Sequence, residues 1–188
     1  GGTSFFSALA LRLDATELGA GYVLDPNGAL RSIQPSGGAP PACVFDNPTS
    51  GSTSYRGIAL ARDRGGLVVD RSGGLHRFTA GVLPNVPAPR GGPSWPGQDV
   101  ARGVALRPKT KGGYVVDMFG YLHRFAVGTH SKPPVPRGGP AFGSDAARGV
   151  AFMPDGNSGY VLDLFGGLHR FGVGSAALAP VPHGGPIF

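Results

Sequence analysis

Short apolar runs alternate with turn residues along the chain, and this pattern predicts strands rather than helices. Three runs begin at Gly, continue with three apolar residues and end at Asp. They cover 66–70, 113–117 and 159–163. Each is followed shortly by the alternating pattern Leu-His-Arg-Phe, as at 122–125. Val-rich runs bounded by Gly are typical of strands, and Gly or Pro interrupts nearly every stretch of about ten residues, which excludes long helices.

An internal repeat of about 46 residues links these runs. The motif Arg-Gly-(Ile/Val)-Ala opens three copies, at 56–59, 102–105 and 148–151, and a more divergent copy opens the chain. The Asp that ends the second strand is spaced by 45, 47 and 46 residues along the four copies. These residues are Asp25, Asp70, Asp117 and Asp163. This period and a strand–turn–strand order favour an all-β fold, a four-bladed β-propeller.

The repeat also predicts the domain organisation. We expect one repeat domain over 1–188, with blades at approximately 7–54, 55–100, 101–146 and 147–188. Residues 1–6 resemble the Pro-rich tail that follows each copy, so they are predicted to close the ring. The alternatives are a piece of a longer array and an eight-bladed ring shared by two chains.

A turn of the form Asp-x-x-Gly joins the second and third strands of each copy, as at 117–120. Asp accepts a backbone N–H at such a turn, and Gly provides positive φ. We expect Asp117 to lie opposite Leu122, which places Tyr114 and His123 on one face and makes Asp117 and Arg124 diagonal partners. The equivalent predicted ion pairs are Asp70–Arg77 and Asp163–Arg170.

Segments rich in Pro and Gly follow the third strands, at 89–95, 136–142 and 182–188. Pro donates no hydrogen bond to a β-ladder, so these segments are predicted at an outer edge or at a crossover between blades.

The composition agrees with an ordered array. With 34 Gly and 19 Pro in 188 residues, an aperiodic chain would be expected to be disordered. Here they recur with the period, hydrophobic residues make up 40% and charged residues only 15%. No apolar run approaches the ~18 residues of a membrane span, and no stretch has the pattern of a signal peptide. The single Cys43 excludes an internal disulfide and a Cys-based zinc site.

The net charge of +6 favours anionic partners, and 14 of the 17 basic residues are Arg. They are spread over the copies rather than gathered in a stripe, so specific nucleic-acid binding is not predicted. The arginines that open the first strands are candidate ligand-binding residues at the mouth of the central channel. They are Arg56, Arg102 and Arg148, with Ser7 at that place in the first copy. The alternative is pairing between blades with Asp99, Asp145 or a backbone carbonyl.

A second candidate surface lies on the exposed loops of the tails. Arg90 and Arg137 would form a polar rim there, together with His183. Trp95, Phe142 and Phe188 each follow Gly-Gly-Pro, and they are predicted either to bind sugar or, more simply, to form the core between blades. Arg90, Arg137 and Trp95 are retained as candidate ligand-binding residues.

The sequence does not predict an enzyme. Glu17 is the only Glu, and phosphate-loop, dinucleotide-binding and nucleophile-elbow motifs are absent. The recurring His and Asp residues are interpreted as structural, so no metal site and no cofactor are expected. An ion held by backbone carbonyls in a central channel is left open.

The best-preserved copy, Ala-Arg-Gly-Val-Ala followed by Gly-Tyr-Val-Leu-Asp-Leu-Phe-Gly-Gly-Leu-His-Arg-Phe-Gly within 147–172, resembles propeller-like repeats of secreted bacterial proteins. The resemblance implies a non-catalytic module, sometimes adjacent to a hydrolase domain. We therefore expect a secreted or cell-envelope module that binds a glycan or protein ligand, or acts as a scaffold, with self-association as an option. The alternatives are a structural fragment of a larger multi-blade assembly and a hydrolase with its site at the central channel.

Overall fold

The computed structural model describes residues 8–11, 21–24, 30–33, 54–61, 64–79, 83–108 and 111–183. This part of the chain forms β-strands and no α-helix, so the predicted all-β class is confirmed. Within it no helix is long and apolar enough to cross a bilayer. Several predictions fall outside the described residues. They concern residues 1–6, Ser7, Glu17, Asp25, Cys43 and Phe188.

The strands form four antiparallel sheets, numbered here in chain order. Sheet 1 contains β1 (Ala8–Leu11), β2 (Gly21–Leu24) and β3 (Leu30–Ile33). Sheet 2 contains β4 (Tyr55–Leu60), β5 (Gly66–Asp70) and β6 (Leu75–Phe78). Sheet 3 contains β8 (Ala101–Leu106), β9 (Gly112–Asp117) and β10 (Leu122–Val127), with β7 (Pro89–Arg90) at its edge. Sheet 4 contains β12 (Ala147–Phe152), β13 (Ser158–Asp163) and β14 (Leu168–Val173), with β11 (Pro136–Gly138) at its edge.

The Pro-rich tails cross from one sheet to the next. Strand β7 follows sheet 2 in the chain but pairs with β10 of sheet 3, and β11 likewise pairs with β14 of sheet 4. Both are edge strands, where a residue without an N–H is tolerated. The prediction of an outer edge or crossover is confirmed.

The first strands of successive sheets lie side by side: β1 beside β4, β4 beside β8, and β8 beside β12. Glycine allows this close approach. A Cβ added to Gly57 would lie 2.7 Å from the Cα of Gly103, and one added to Gly103 would lie 3.1 Å from the Cα of Gly149. The recurring Arg-Gly dipeptide therefore marks the place where backbones of neighbouring sheets touch.

The core lies between the faces of successive sheets. Leu67 and Val69 of sheet 2 pack against Val104 and Phe125 of sheet 3. The same arrangement joins sheet 3 to sheet 4. It uses Tyr114 and Val116 on one side and Val161 and Phe171 on the other. These side chains are almost completely buried, and each contributes about 1.5–3 kcal/mol relative to exposure, so each sheet is stabilised by its neighbours.

The predicted hairpin register is wrong by one residue. Leu122 lies opposite Val116 and His123 opposite Val115, so Asp117 and His123 share a face and Tyr114 lies on the other. The loop contains three residues, 118–120, rather than four: Asp117 N–H donates to Tyr121 O at 3.1 Å, and Gly120 has φ +90°. This is a type I turn with a glycine bulge, and a shift of one residue reverses every side chain.

The predicted Asp–Arg pairs are wrong for the same reason. The Asp117 carboxylate bonds His123 at 2.8 Å, whereas Arg124 donates to the carbonyl of Pro133 at 3.4 Å. The other two sheets agree. There Asp70 bonds His76, Asp163 bonds His169, and Arg77 and Arg170 donate to Val86 and Ala179. These arginines join the third strand to the tail that follows it.

Candidate functional site

A carboxylate closes each hairpin and orients a His. Oδ1 of Asp117 accepts the N–H groups of Phe119 and Tyr121 at 2.9 and 3.0 Å, and Oδ2 lies 2.8 Å from Nε2 of His123. Asp70 and Asp163 make the same three contacts in sheets 2 and 4. Each carboxylate thus has both oxygens engaged in local structure.

These contacts lower the pKa of two of the carboxylates, Asp70 and Asp163. Burial raises the pKa of Asp70, but the His76 hydrogen bond and two backbone N–H bonds outweigh it, so the pKa lies below its usual value of 3.8. At Asp163 the hydrogen bond from His169 is the main cause of a lowered pKa.

An aromatic ring from the tail packs edge-on against the His. Trp95 lies over His123 with ring centroids 4.9 Å apart, and Phe142 lies over His169 at 5.0 Å. The other side of Trp95 contacts sheet 2, where a Cβ added to Gly73 would lie 2.8 Å from the indole. Trp95 therefore fills the junction between two sheets, which agrees with the core interpretation rather than the sugar-binding one.

A continuous series of ion pairs joins sheets 2, 3 and 4. Arg56 binds Asp99 with two nitrogens, at 3.0 and 2.5 Å. Arg102 binds Asp145 in the same way, at 2.9 and 2.6 Å, and also reaches back to Asp99 at 2.9 Å. Arg148 reaches back to Asp145 at 2.9 Å. We call this set of five side chains the arginine ladder.

The ion pairs of the ladder shift the pKa values of its side chains towards the charged forms. The Arg56 guanidinium is the main cause that lowers the pKa of Asp99, and Arg102 does the same for Asp145. The hydrogen bond to Asp145 raises the pKa of Arg102. Three guanidinium groups share two carboxylates, so the ladder keeps one net positive charge. The charge is most accessible at Arg148, which binds its carboxylate through one nitrogen and is 42% exposed, against 27% for Arg56 and 13% for Arg102.

The three arginines line one cleft of about 410 Å³. The ion pairs with Asp99 and Asp145, the alternative from the sequence, are present. The cleft is also lined by the glycines at 57, 103 and 149 and, along its walls, by mainly apolar residues. The wall residues are Ile58, Val104, Val150, Ala151, Tyr160, Leu162 and Leu168.

The other candidate residues lie elsewhere. Arg90 and Arg137 are exposed on β7 and β11, at the opposite edge of each sheet from β8 and β12. Arg137 donates to the carbonyl of Ala176 at 3.1 Å. The structure therefore does not bring Arg90, Arg137 or Trp95 to the cleft.

One feature of the cleft was missed by the sequence interpretation. The wall formed by Ala151, Tyr160, Leu162 and Leu168 belongs to the face of sheet 4 that points away from sheet 3, and we call it the open face. Leu162 and Leu168 are 39% and 44% exposed. Leu162 matches the buried Val69 and Val116 in the repeat. Leu168 matches leucines of sheets 2 and 3 that are partly buried, so the sequence contains no signal that distinguishes the two exposed residues.

The described residues include no group of three His, Cys, Asp or Glu side chains placed to share a metal ion. No family model matches the sequence, and no curated protein resembles it at a significant level. Function is therefore inferred from the residues themselves.

Proposed function

We propose that this chain is a non-catalytic β-propeller-type module that binds a glycan or protein ligand and acts as a scaffold at the cell envelope. The side-by-side order of β1, β4, β8 and β12 supports a propeller-type arrangement, in which each sheet is a blade and the first strands line a channel. The envelope location is supported by the resemblance of the repeat to those of secreted bacterial proteins.

The observation that carries the binding proposal is the arginine ladder in a cleft with apolar walls. A concave, mainly apolar site with a few convergent polar groups is the usual form of a ligand site. The remaining positive charge at Arg148 favours a ligand with a carboxylate or another acidic group, because a guanidinium offers forked donors to such groups.

A scaffold is favoured over an enzyme because the acid–base groups are used for structure. The carboxylates of Asp70, Asp117 and Asp163 each accept two backbone N–H groups and one His, and those of Asp99 and Asp145 each bind two guanidinium groups. A catalytic site needs a nucleophile, base or acid aimed at a substrate position, and a carboxylate fully engaged in local bonds is unsuited to that role.

The binding proposal is tested on an array of acidic and neutral glycans, followed by titration calorimetry of the best ligand. We expect acidic glycans to bind in preference to neutral ones, with affinity falling as salt rises. Arg148→Gln is expected to weaken binding by about tenfold, because one charge-assisted contact is lost.

Arg90→Gln is the matched control, since it removes an exposed Arg outside the cleft, and its affinity should equal that of the parent chain. Absence of any binding at millimolar concentration, or equal affinity of Arg148→Gln and the parent, would contradict a ligand site at the ladder.

A structural unit of a larger multi-blade assembly is the second candidate function. The open face of sheet 4 favours it, because monomeric proteins rarely leave such an apolar surface uncovered without a partner.

A further inference from the structure

Sheet 4 exposes the same positions that sheets 2 and 3 bury. Val69 and Val116 are 0% exposed because the next sheet covers them, whereas their counterpart Leu162 is 39% exposed. Ala59 and Ala105 are likewise buried and Ala151 is exposed. The open face is thus one half of an interface that the described residues form three times, between sheets 1 and 2, sheets 2 and 3, and sheets 3 and 4.

The side chain of Arg148 in sheet 4 also lacks the partner that its counterparts have in the next sheet. Arg56 and Arg102 each bind, with two nitrogens, the Asp that precedes the first strand of the next sheet. Arg148 has only Asp145 of its own sheet as a carboxylate partner within the described residues.

Backbone hydrogen bonds between sheets show the same difference between sheet 4 and sheets 2 and 3. The carbonyl of Arg71 accepts two N–H groups from the next sheet, those of Val100 and Ala101, and Met118 accepts those of Ala146 and Ala147. Within the described part of the chain, no N–H donates to the corresponding carbonyl, that of Leu164.

The close glycine contact ends here as well. A Cβ added to Gly149 would meet nothing within 4 Å, whereas additions to Gly57 and Gly103 would meet the next backbone. One kind of partner therefore matches the apolar area, the charge, the backbone acceptor and the shape of this surface. It is another sheet of this repeat, in contact through the face that sheets 3 and 4 turn towards the preceding sheet.

We propose that the open face binds a further copy of the repeat, one that carries Asp at the position of Asp145. This Asp is required because it would accept hydrogen bonds from two guanidinium nitrogens of Arg148. Asp99 binds Arg56 in this way, and Asp145 binds Arg102. The first copy of this chain fits less well, because Ser4 stands at that position. Arg148, Leu162 and Leu168 also line the cleft, so a copy bound to the open face is expected to exclude an acidic ligand from that part of the cleft.

The test adds one copy to the full chain. Residues 143–188 are repeated after Phe188, which keeps the period because Phe188 occupies the place of Phe142 in its Gly-Gly-Pro segment. Leu162→Cys is introduced into the parent and the extended chain, each with Cys43→Ser, and the rate of thiol modification is measured. We expect modification to be at least about tenfold slower in the extended chain, because covered groups react only after local opening.

Val181→Cys is the matched control. Its counterpart Val135 is 62% exposed although sheet 3 is covered, so Val181→Cys should react equally fast in both chains. As a second readout, Arg148→Ala should lower the Tm of the extended chain by about 2–4 °C more than that of the parent.

Other outcomes identify other occupants and overturn the proposal. Equal reaction rates of Leu162→Cys in the two chains would show that the added copy does not cover the face. Slow modification already in a monomeric parent would mean that the chain's own first copy covers it. Slow modification in a parent that forms dimers in sedimentation experiments would assign the face to a second chain. None of these outcomes depends on glycan binding, so the two proposals fail separately.

Discussion

At the scale of single residues, carboxylates link adjacent sheets and close the hairpins. Asp99 and Asp145 hold adjacent sheets together through guanidinium groups, and Asp70 and Asp163 close hairpins and orient His side chains. Sequence reasoning found these residues and assigned a structural role to the turn Asp residues. It chose the wrong partner for them, because His and Arg are adjacent in the third strand and only the register decides which one faces the carboxylate.

Acid is expected to destabilise the fold. The pKa values of Asp70, Asp99, Asp145 and Asp163 are lowered in the folded chain from 3.8. The unfolded chain therefore binds more protons in acid, so stability is fully present above the unfolded pKa and is lost as the pH falls through the folded values. We expect Tm to fall progressively from about pH 5 downward, as measured by circular dichroism melts between pH 7 and pH 3.

Asp145→Asn is the control for that measurement. It removes one of the titrating groups, so its Tm should be lower at pH 7 and should depend less steeply on pH below 5 than that of the parent. An unchanged slope would mean that the arginine ladder does not contribute to acid sensitivity.

At the scale of the elements, a glycine bulge decides which side chains face the neighbouring sheets. Gly73, Gly120 and Gly166 have φ values of +86°, +90° and +85° at the same place in three hairpins. The Asp-x-x-Gly motif predicted the hairpin and its Gly correctly. The loop length was one residue too long, because a motif of turn-forming residues does not show where ladder pairing resumes.

Gly120→Ala is expected to destabilise the chain by about 1–3 kcal/mol, since a non-Gly residue at positive φ is strained. The added Cβ would also lie 2.7 Å from Cγ of Pro140 and 3.1 Å from the ring of Phe142. Urea unfolding followed by the fluorescence of Trp95 measures the loss.

Gly143→Ala serves as the reference substitution. Gly143 has no positive φ, and an added Cβ would meet nothing within 4 Å, so its free energy of unfolding should stay within about 0.5 kcal/mol of the parent. Equal effects of the two substitutions would contradict the bulged turn.

At the scale of the whole molecule, the sheets depend on each other. Sheets 2 and 3 each bury one face against the sheet before and the other against the sheet after, and the first strands approach at glycine. Sheet 4 has only the first of these contacts within the described residues, which is why chemically similar side chains are buried in sheet 3 and exposed in sheet 4.

A pair of equivalent substitutions measures this difference. Gly57→Ala places a methyl group 2.7 Å from the Cα of Gly103 and should cost about 1–3 kcal/mol by forcing two backbones apart. Gly149→Ala enters open space and should be neutral or slightly stabilising, because Gly is unfavourable inside a strand. Thermal melts of both variants give the comparison.

If both substitutions lower the stability equally, Gly149 is in close contact as Gly57 is, and the open face is covered. A neutral Gly57→Ala would argue against backbone contact between sheets 2 and 3.

The strands, the turns and their repetition follow from the amino-acid sequence alone, because they depend on local properties: apolar runs of limited length, Gly and Asp at turns, and Pro at edges. The sequence also identified Arg56, Arg102 and Arg148 as equivalent residues at the start of successive first strands. Local preferences extend only over a few residues, so they are the same in every copy.

The contact partners of each copy follow from its place in the folded molecule. Whether Arg148 meets one carboxylate or two, and whether Leu162 is covered, depends on which sheet lies next to it in space. Copies with nearly identical sequences have different surroundings, and burial, charge pairing and backbone satisfaction follow from those surroundings rather than from the residues alone.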